Sequence, residues 1–265
     1  MGEGIYKIVE YDPETGYKLS GEEKIVEVIS SGSLYVDNVL NENTATLTYY
    51  EVPKTVRIRK VDENGNMLSG AHFEIYKDGT LYNSFVSSLN DYELVKLENG
   101  VYTVKEVQSA DNYIKSDEVY SFTVTTNGVN KDLIIVTNES MPTVNIKVID
   151  TDTQEHISDA IMVIKDKDGE LVTYTSVEEI YSIKLPYGDY TISEVKPGDN
   201  HIPSDTVYSF TIDKDSSKTI NIDFYSEPYY TVKIINEDIN KEYLEGANFE
   251  LKDSSGNVIK TFTQE

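Results

Sequence analysis

Cysteine is absent from the 265 residues, so neither disulfides nor thiol chemistry is available. An extracellular chain of this kind needs another staple or a well-packed core. Cations are scarce: 23 Lys and Arg face 47 Asp and Glu, a formal net charge of -24. That balance excludes nucleic-acid and anionic-membrane partners, which call for basic patches. It describes a solvated, self-repelling surface. No run of 18 apolar residues occurs, so membrane insertion by a helix is not expected. Met1-Gly-Glu-Gly4 lacks the basic and apolar regions of a signal peptide, and both ends read as cut from something longer. Hydrophobic content is nonetheless 38%, with 21 Tyr, which supports globular folding over disorder.

What is present is a repeat. Thr55-Val-Arg-Ile58 recurs 88 residues on as Thr143-Val-Asn-Ile146, and again after another 88 as Thr231-Val-Lys-Ile234. Gly100-Val-Tyr-Thr-Val-Lys-Glu106 matches Gly188-Asp-Tyr-Thr-Ile-Ser-Glu194 at the same offset, and Tyr120-Ser-Phe-Thr-Val124 matches Tyr208-Ser-Phe-Thr-Ile212. Gly70-Ala-His-Phe-Glu74 matches Gly246-Ala-Asn-Phe-Glu250 at twice that offset. One register over the whole chain defines complete repeats at 55–142 and 143–230. Residues 231–265 start a further repeat. Residues 1–54 read as the back part of a preceding one, because Gly4-Ile-Tyr-Lys-Ile-Val-Glu10 aligns with 100–106. A rival alignment takes Asp12-Pro-Glu-Thr-Gly-Tyr-Lys-Leu-Ser-Gly21 as an opening hairpin, but only 54 residues precede the next start.

Inside each repeat the signals are β. Val56-Arg-Ile-Arg-Lys-Val61 alternates, and turn signals recur at Glu63-Asn-Gly65, Lys77-Asp-Gly79, Glu98-Asn-Gly100 and Thr126-Asn-Gly128. Short strands and frequent turns in an 88-residue unit predict a β-sandwich. The links Glu139-Ser-Met-Pro142 and Glu227-Pro-Tyr-Tyr230 are short, which predicts beads in a rod whose immediate partners are neighbouring repeats. The paired tyrosines Tyr49-Tyr50 and Tyr229-Tyr230 fall at these junctions and are expected to pack between neighbours.

The repeat resembles the Cna protein B-type domain, also called the SpaA-type pilin domain, an immunoglobulin-like (prealbumin-like) sandwich of Gram-positive adhesins and pilins. The residues that carry the likeness are Lys60-Val-Asp-Glu-Asn-Gly65, Leu68-Ser-Gly-Ala-His-Phe-Glu74, Gly100-Val-Tyr-Thr-Val-Lys-Glu106 and Val136-Thr-Asn-Glu139. The resemblance implies an isopeptide bond from a first-strand Lys to a last-strand Asn or Asp, promoted by a buried Glu. Those positions are Lys60, Asn138 and Glu106. Burial disfavours charge, so it lowers a lysine pKa and raises that of a carboxyl. A neutral amine can then attack the Asn carbonyl while a protonated acid polarises it. Two alternatives stay open: a buried Lys60–Glu106 ion pair with Asn138 merely hydrogen-bonded, and Lys60 facing outward. Asn138-Glu-Ser140 is also a formal N-glycosylation sequon, discounted because Asn138 falls in a strand of a bacterial-looking protein.

The other repeats depart from the pattern. The second has Val148 and Ser226 at the Lys and Asn positions and keeps only Glu194; Lys147 falls on the opposite strand face. The third has Asn236 at the Lys position, and the first has Tyr50 at the Asn position beside a surviving Glu10. One cross-link at most is expected. By analogy with loop closure it stabilises by about 4–5 kcal/mol.

No metal or cofactor is expected. His72, His156 and His201 share no ligand spacing, and Asp166-Lys-Asp-Gly-Glu170 reads as a hairpin turn and not a calcium loop, as does Asp150-Thr-Asp-Thr153. No nucleophile elbow or phosphate loop occurs. The favoured function is therefore structural and not enzymatic: a stalk segment of a Gram-positive surface adhesin or pilus, extracellular and attached to the cell wall. Rival classes are a module that binds host matrix protein or glycan, and an accessory array of a secreted carbohydrate-active enzyme. The part-repeats at the two ends are complementary enough to suggest head-to-tail self-association. No Leu-Pro-x-Thr-Gly anchoring motif occurs.

Overall fold

The computed structural model describes residues 1–30, 32–41 and 44–263, and every regular element among them is a strand. No helix among them is long and apolar enough to cross a membrane. The chain adopts the all-β, tandem-sandwich architecture that the turn spacing predicts.

The leading segment holds β1 (Gly4–Val9), β2 (Tyr17–Lys18), β3 (Glu23–Val28), β4 (Leu34–Val36), β5 (Val39–Asn41) and β6 (Val52–Pro53). Four of these form one sheet in the order β1-β3-β4-β5, and β2 pairs with β6. The first sandwich follows: β7 (Val56–Asp62), β8 (His72–Lys77), β9 (Thr80–Val86), β10 (Tyr92–Leu94), β11 (Gly100–Gln108), β12 (Val119–Thr125), β13 (Gly128–Val129) and β14 (Leu133–Asn138). Its sheets are β10-β7-β14 and β13-β12-β11-β8-β9.

Alternation builds this sandwich. Val56 and Ile58 of β7 face Phe73 and Ile75 of β8 and Tyr102 and Val104 of β11, all buried in one cluster. The intervening Arg57 and Arg59 point outward, and Arg59 grips Asp91 through two hydrogen bonds of 2.8 and 3.0 Å. Tyr102 stacks on Phe122 with ring centroids 5.0 Å apart, and its hydroxyl donates to the Glu98 carbonyl at 3.0 Å. The turn after β7 closes on the Asp62 carboxylate, which accepts the amides of Asn64 and Asn66, while Gly65 takes φ +85°.

The second sandwich repeats the plan with β15 (Thr143–Asp150), β16 (Ile161–Asp166), β17 (Gly169–Thr175), β18 (Tyr181–Lys184), β19 (Gly188–Lys196), β20 (Val207–Ile212) and β21 (Thr219–Ser226). Its sheets are β18-β15-β21 and β17-β16-β19-β20. In both sandwiches the first and last strands run parallel and adjacent, six pairs for β7 with β14 and eight for β15 with β21. The trailing segment is a hairpin of β22 (Asn248–Lys252) and β23 (Val258–Thr263).

The link between the sandwiches is held from both sides. The Ser140 hydroxyl donates to Glu63 at 2.6 Å, and Lys218 donates to the Ser140 carbonyl at 3.1 Å. The junction tyrosines behave differently from the expectation. Tyr50 is 77% exposed and Tyr229 is exposed as well. Tyr49 bonds within its own segment, its hydroxyl donating to the Ile8 carbonyl at 2.7 Å, and the Tyr230 hydroxyl reaches Asp152 at 3.0 Å. Tyr50, Tyr229 and Tyr230 are solvent-exposed, and Tyr49 and Tyr230 are held by one hydroxyl bond each, so the rings do not form a packed joint.

Candidate cross-link site

Lys60 falls on an inward position of β7, in phase with Val56 and Ile58. Its amine therefore enters the core, and the outward alternative is excluded. In the parallel ladder Lys60 lies opposite Val136 and Asn138 opposite Asp62. Both side chains thus leave the same face of the sheet, one pleat apart. Glu106 comes from β11 in the facing sheet, at a bulge where the register with β8 slips between Glu106 and Gln108. Bulges re-aim side chains in this way. The three strands meet with Lys60 2%, Glu106 5% and Asn138 2% exposed.

The Lys60 amine sits 3.7 Å from Glu106 Oε1 and donates to the carbonyls of Val136 at 3.2 Å and Val61 at 3.3 Å. The Asn138 amide nitrogen donates to Glu106 Oε2 at 2.7 Å. Two buried acceptors, Glu106 Oε1 and Asn138 Oδ1, have no hydrogen-bond partner. Buried acceptors without a hydrogen bond are costly. Burial pulls the Lys60 amine down to about 8, with the Glu106 carboxylate opposing part of that fall. The neutral, nucleophilic amine is therefore far more populated near neutral pH than in an exposed lysine.

The other repeats supply a control. Val148 and Ser226 are buried at the corresponding places, and the Ser226 hydroxyl lies 3.5 Å from Glu194 Oε1. No amine enters this core: Lys147 points outward and pairs with Glu179 at 2.7 Å. Asn236 donates to the Leu244 carbonyl at 3.4 Å. In the leading segment the inward residue is Tyr49 and not Tyr50, because burial alternates from Ala45 through Leu47 to Tyr49.

One feature escaped the sequence reading. Glu106 Oε2 also accepts the backbone amide of Ser116 at 2.7 Å. Glu194 accepts that of Ser204 at 2.9 Å, and Glu10 that of Ser20 at 2.7 Å. The signal was a serine ten residues past each glutamate. The carboxylate therefore ties a loop to the sheet in all three units, whatever else it does in the first. Among the described residues no group of three His, Asp or Glu is placed to hold a metal ion, and the turns at Asp166 and Asp150 are closed by backbone amides donating to those carboxylates. His201 is engaged with Asp150 at 3.0 Å.

A family model of the SpaA prealbumin-like fold domain matches residues 54–139 and 142–226, one match per sandwich. The chain belongs to this SpaA family. It is also similar to serine-aspartate repeat-containing protein F of Staphylococcus epidermidis, 28% identical over 248 residues, covering 76% of this chain and 14% of that protein. The chain thus spans about one seventh of that relative's length. Among solved structures it resembles a streptococcal ancillary pilin, at 16% identity and TM-score 0.42 over 86% of this chain and 76% of that one. It also resembles the shaft pilin SpaA of Lactobacillus rhamnosus GG, at 11% identity and TM-score 0.45 over 68% of this chain and 99% of that one. A third likeness is the TIE protein of Bacillus anthracis, at 21% identity and TM-score 0.36 over 92% of this chain and 49% of that one.

Proposed function

We propose that this SpaA-type array is a structural stalk segment of a Gram-positive surface adhesin or pilus, stapled once by a Lys60–Asn138 isopeptide bond. The observation that carries the reading is the buried trio with its two orphaned acceptors. Neutral Lys60 Nζ attacks Asn138 Cγ. The Nζ–Cγ bond forms and the Cγ–Nδ2 bond breaks. Glu106 receives a proton from Nζ and delivers one to Nδ2, which leaves as ammonia. The hydrogen bond from Nδ2 to Oε2 places the carboxyl against the leaving nitrogen, and Oε1 faces the attacking amine. Glu106 ends as it began, and the event occurs once per molecule.

In a cysteine-free chain this bond takes the role a disulfide plays elsewhere. The units on either side, 1–54 and 231–265, are the back and front portions of neighbouring repeats in the same array. Intact-mass spectrometry tests the staple. The native chain is expected to weigh one ammonia less than its sequence, and Glu106→Gln to keep the full mass. A native chain of full mass refutes it.

A further inference from the structure

The loop between β11 and β12 reaches both halves of the cross-link site. β11 carries Glu106 and β14 carries Asn138, and the two strands lie in different sheets. Residues 109–116 cross from one to the other. At the end of the loop the Ser116 amide donates to Glu106 Oε2 at 2.7 Å. In its middle the Ile114 amide donates to the Glu139 carbonyl at 2.8 Å, and the Asn112 carbonyl accepts the Met141 amide at 2.9 Å. Glu139 and Met141 lie just past Asn138. One loop thus holds the acid and the strand that carries the amide.

The tie at Ser116 decides how the carboxyl sits. Oε2 accepts the Ser116 amide and Asn138 Nδ2 together, each at 2.7 Å. The last torsion of a Glu side chain is broad, so one donor alone would leave the carboxyl plane free to turn. Two donors fix it. The other oxygen, Oε1, is left without a hydrogen bond, 3.7 Å from Lys60 Nζ. The docked loop also makes a backbone demand, because Asn112 takes φ +66°. The matching positions are Gly16 at +95° and Asn200 at +62°, residues that accept this region. Around Glu194 the same ties form with no amine present: Ser204 to the carboxylate, Ile202 to Glu227 and Tyr229 to Asn200. Docking therefore needs no cross-link and is free to precede one.

We infer that residues 109–116 are the positioning device of the trio and that cross-linking waits for this loop to dock. The inference rests on the proposed Lys60–Asn138 reaction and adds its order of events. The strands assemble, the loop closes on Glu106 and on the exit of β14, and the amine then meets an acid already aimed at the leaving nitrogen. Ser116 touches neither the amine nor the amide carbon; it acts through Glu106 as a positioning residue.

Cell-free synthesis of the full chain tests this, with samples taken at intervals for intact mass and for protease resistance of the first sandwich. Ser116→Pro removes the amide donor and leaves the trio whole. Its protease-resistant molecules are expected to lose ammonia at least about tenfold more slowly than the native chain. Ser116→Ala keeps the amide and is expected to react at the native rate. Asn112→Val loads the docked loop with a β-branched residue at positive φ and is expected to react slowly, whereas Asn112→Gly fits and is expected to match the native rate. If Ser116→Pro yields no resistant sandwich, the Asn112 pair decides. A folded Ser116→Pro or Asn112→Val that loses ammonia as fast as the native chain overturns the inference and leaves the cross-link standing. A native chain that never loses ammonia refutes the cross-link itself, and the inference with it.

Discussion

Replacing Lys60 with Met isolates the contribution of the staple. Methionine fills the lysine stem's space without an amine, so no unpaired cation is left in the pocket. The Asn138 amide keeps its bond to Glu106 Oε2. What is lost is the constraint on the unfolded chain. Tying positions 60 and 138 closes a loop of 78 residues, and chain-entropy arithmetic for that length gives about 4–5 kcal/mol. For a domain of this size each kcal/mol shifts Tm by roughly 4–8 °C, so the first sandwich should melt about 20–30 °C lower. Scanning calorimetry reads this directly, because the second sandwich has its own core and supplies an internal reference. Its transition should not move. A first transition displaced by less than about 5 °C, in a native chain already shown to lack one ammonia, refutes the loop-closure argument.

Further outcomes follow from the same geometry. Asn138→Ala leaves the Lys60 amine free and buried. Its folded pKa lies below the unfolded value of 10.5, so the unfolded chain binds more protons between about 8 and 10.5. The stability of that variant should rise with pH across this window by up to about 3 kcal/mol in denaturant titrations, whereas a native chain carrying the proposed amide should show no such slope. Grafting Val148→Lys with Ser226→Asn places amine and amide beside Glu194; the mass should fall by a second ammonia, and an unchanged mass counts against the trio being sufficient. Glu194→Ala frees the Ser204 amide and should destabilise the second sandwich by about 1–3 kcal/mol without changing the number of ammonia molecules lost. Under force, the first sandwich should stay closed while the second opens with an increment on the order of 25 nm. Two equal openings would falsify the staple.

Much of this was legible in the sequence, and for physical reasons. The alternation in Val56–Asp62 allowed Lys60 on the face of Val56 and Ile58, which burial then decides, and the 88-residue register brought Glu106 and Asn138 into the same unit. The departures Val148 and Ser226 were read the same way, and both are buried where expected. The failures came where the register slips. From Glu10 to Tyr50 is 40 residues, against 32 from Glu106 to Asn138, so the phase of 44–50 could not be carried over. Burial shows that Tyr49 is the inward residue. The bulge at Glu106, which aims the carboxyl, depends on pairing with β8 and leaves no local mark. Tyrosines at junctions were misjudged because an amphipathic ring tolerates the surface: Tyr50 and Tyr229 are exposed, and Tyr49 and Tyr230 need only one hydroxyl bond each.

The carboxylate shows how little the proposed staple would add to the fold. Glu10, Glu106 and Glu194 all hold a loop amide ten residues on. The fold thus keeps a loop-tying acid at this strand position in the three units that contain the strand, with or without chemistry. Adding an amine and an amide to that standing acid takes two residues, at positions that the parallel first and last strands already bring within one pleat. The same parallel pairing decides what the bond does under tension. Pulling on the two ends of a sandwich slides its first and last strands along each other and loads all the ladder bonds together. The second sandwich meets that load with eight backbone pairs, the first with six and the Lys60–Asn138 link of the proposed reaction. With that link in place, force entering at residue 55 crosses at Lys60 and leaves past Asn138, so residues 61–137 carry none of it. A shorter ladder is tolerable only where the load goes around it, and the shorter ladder is the one beside the trio.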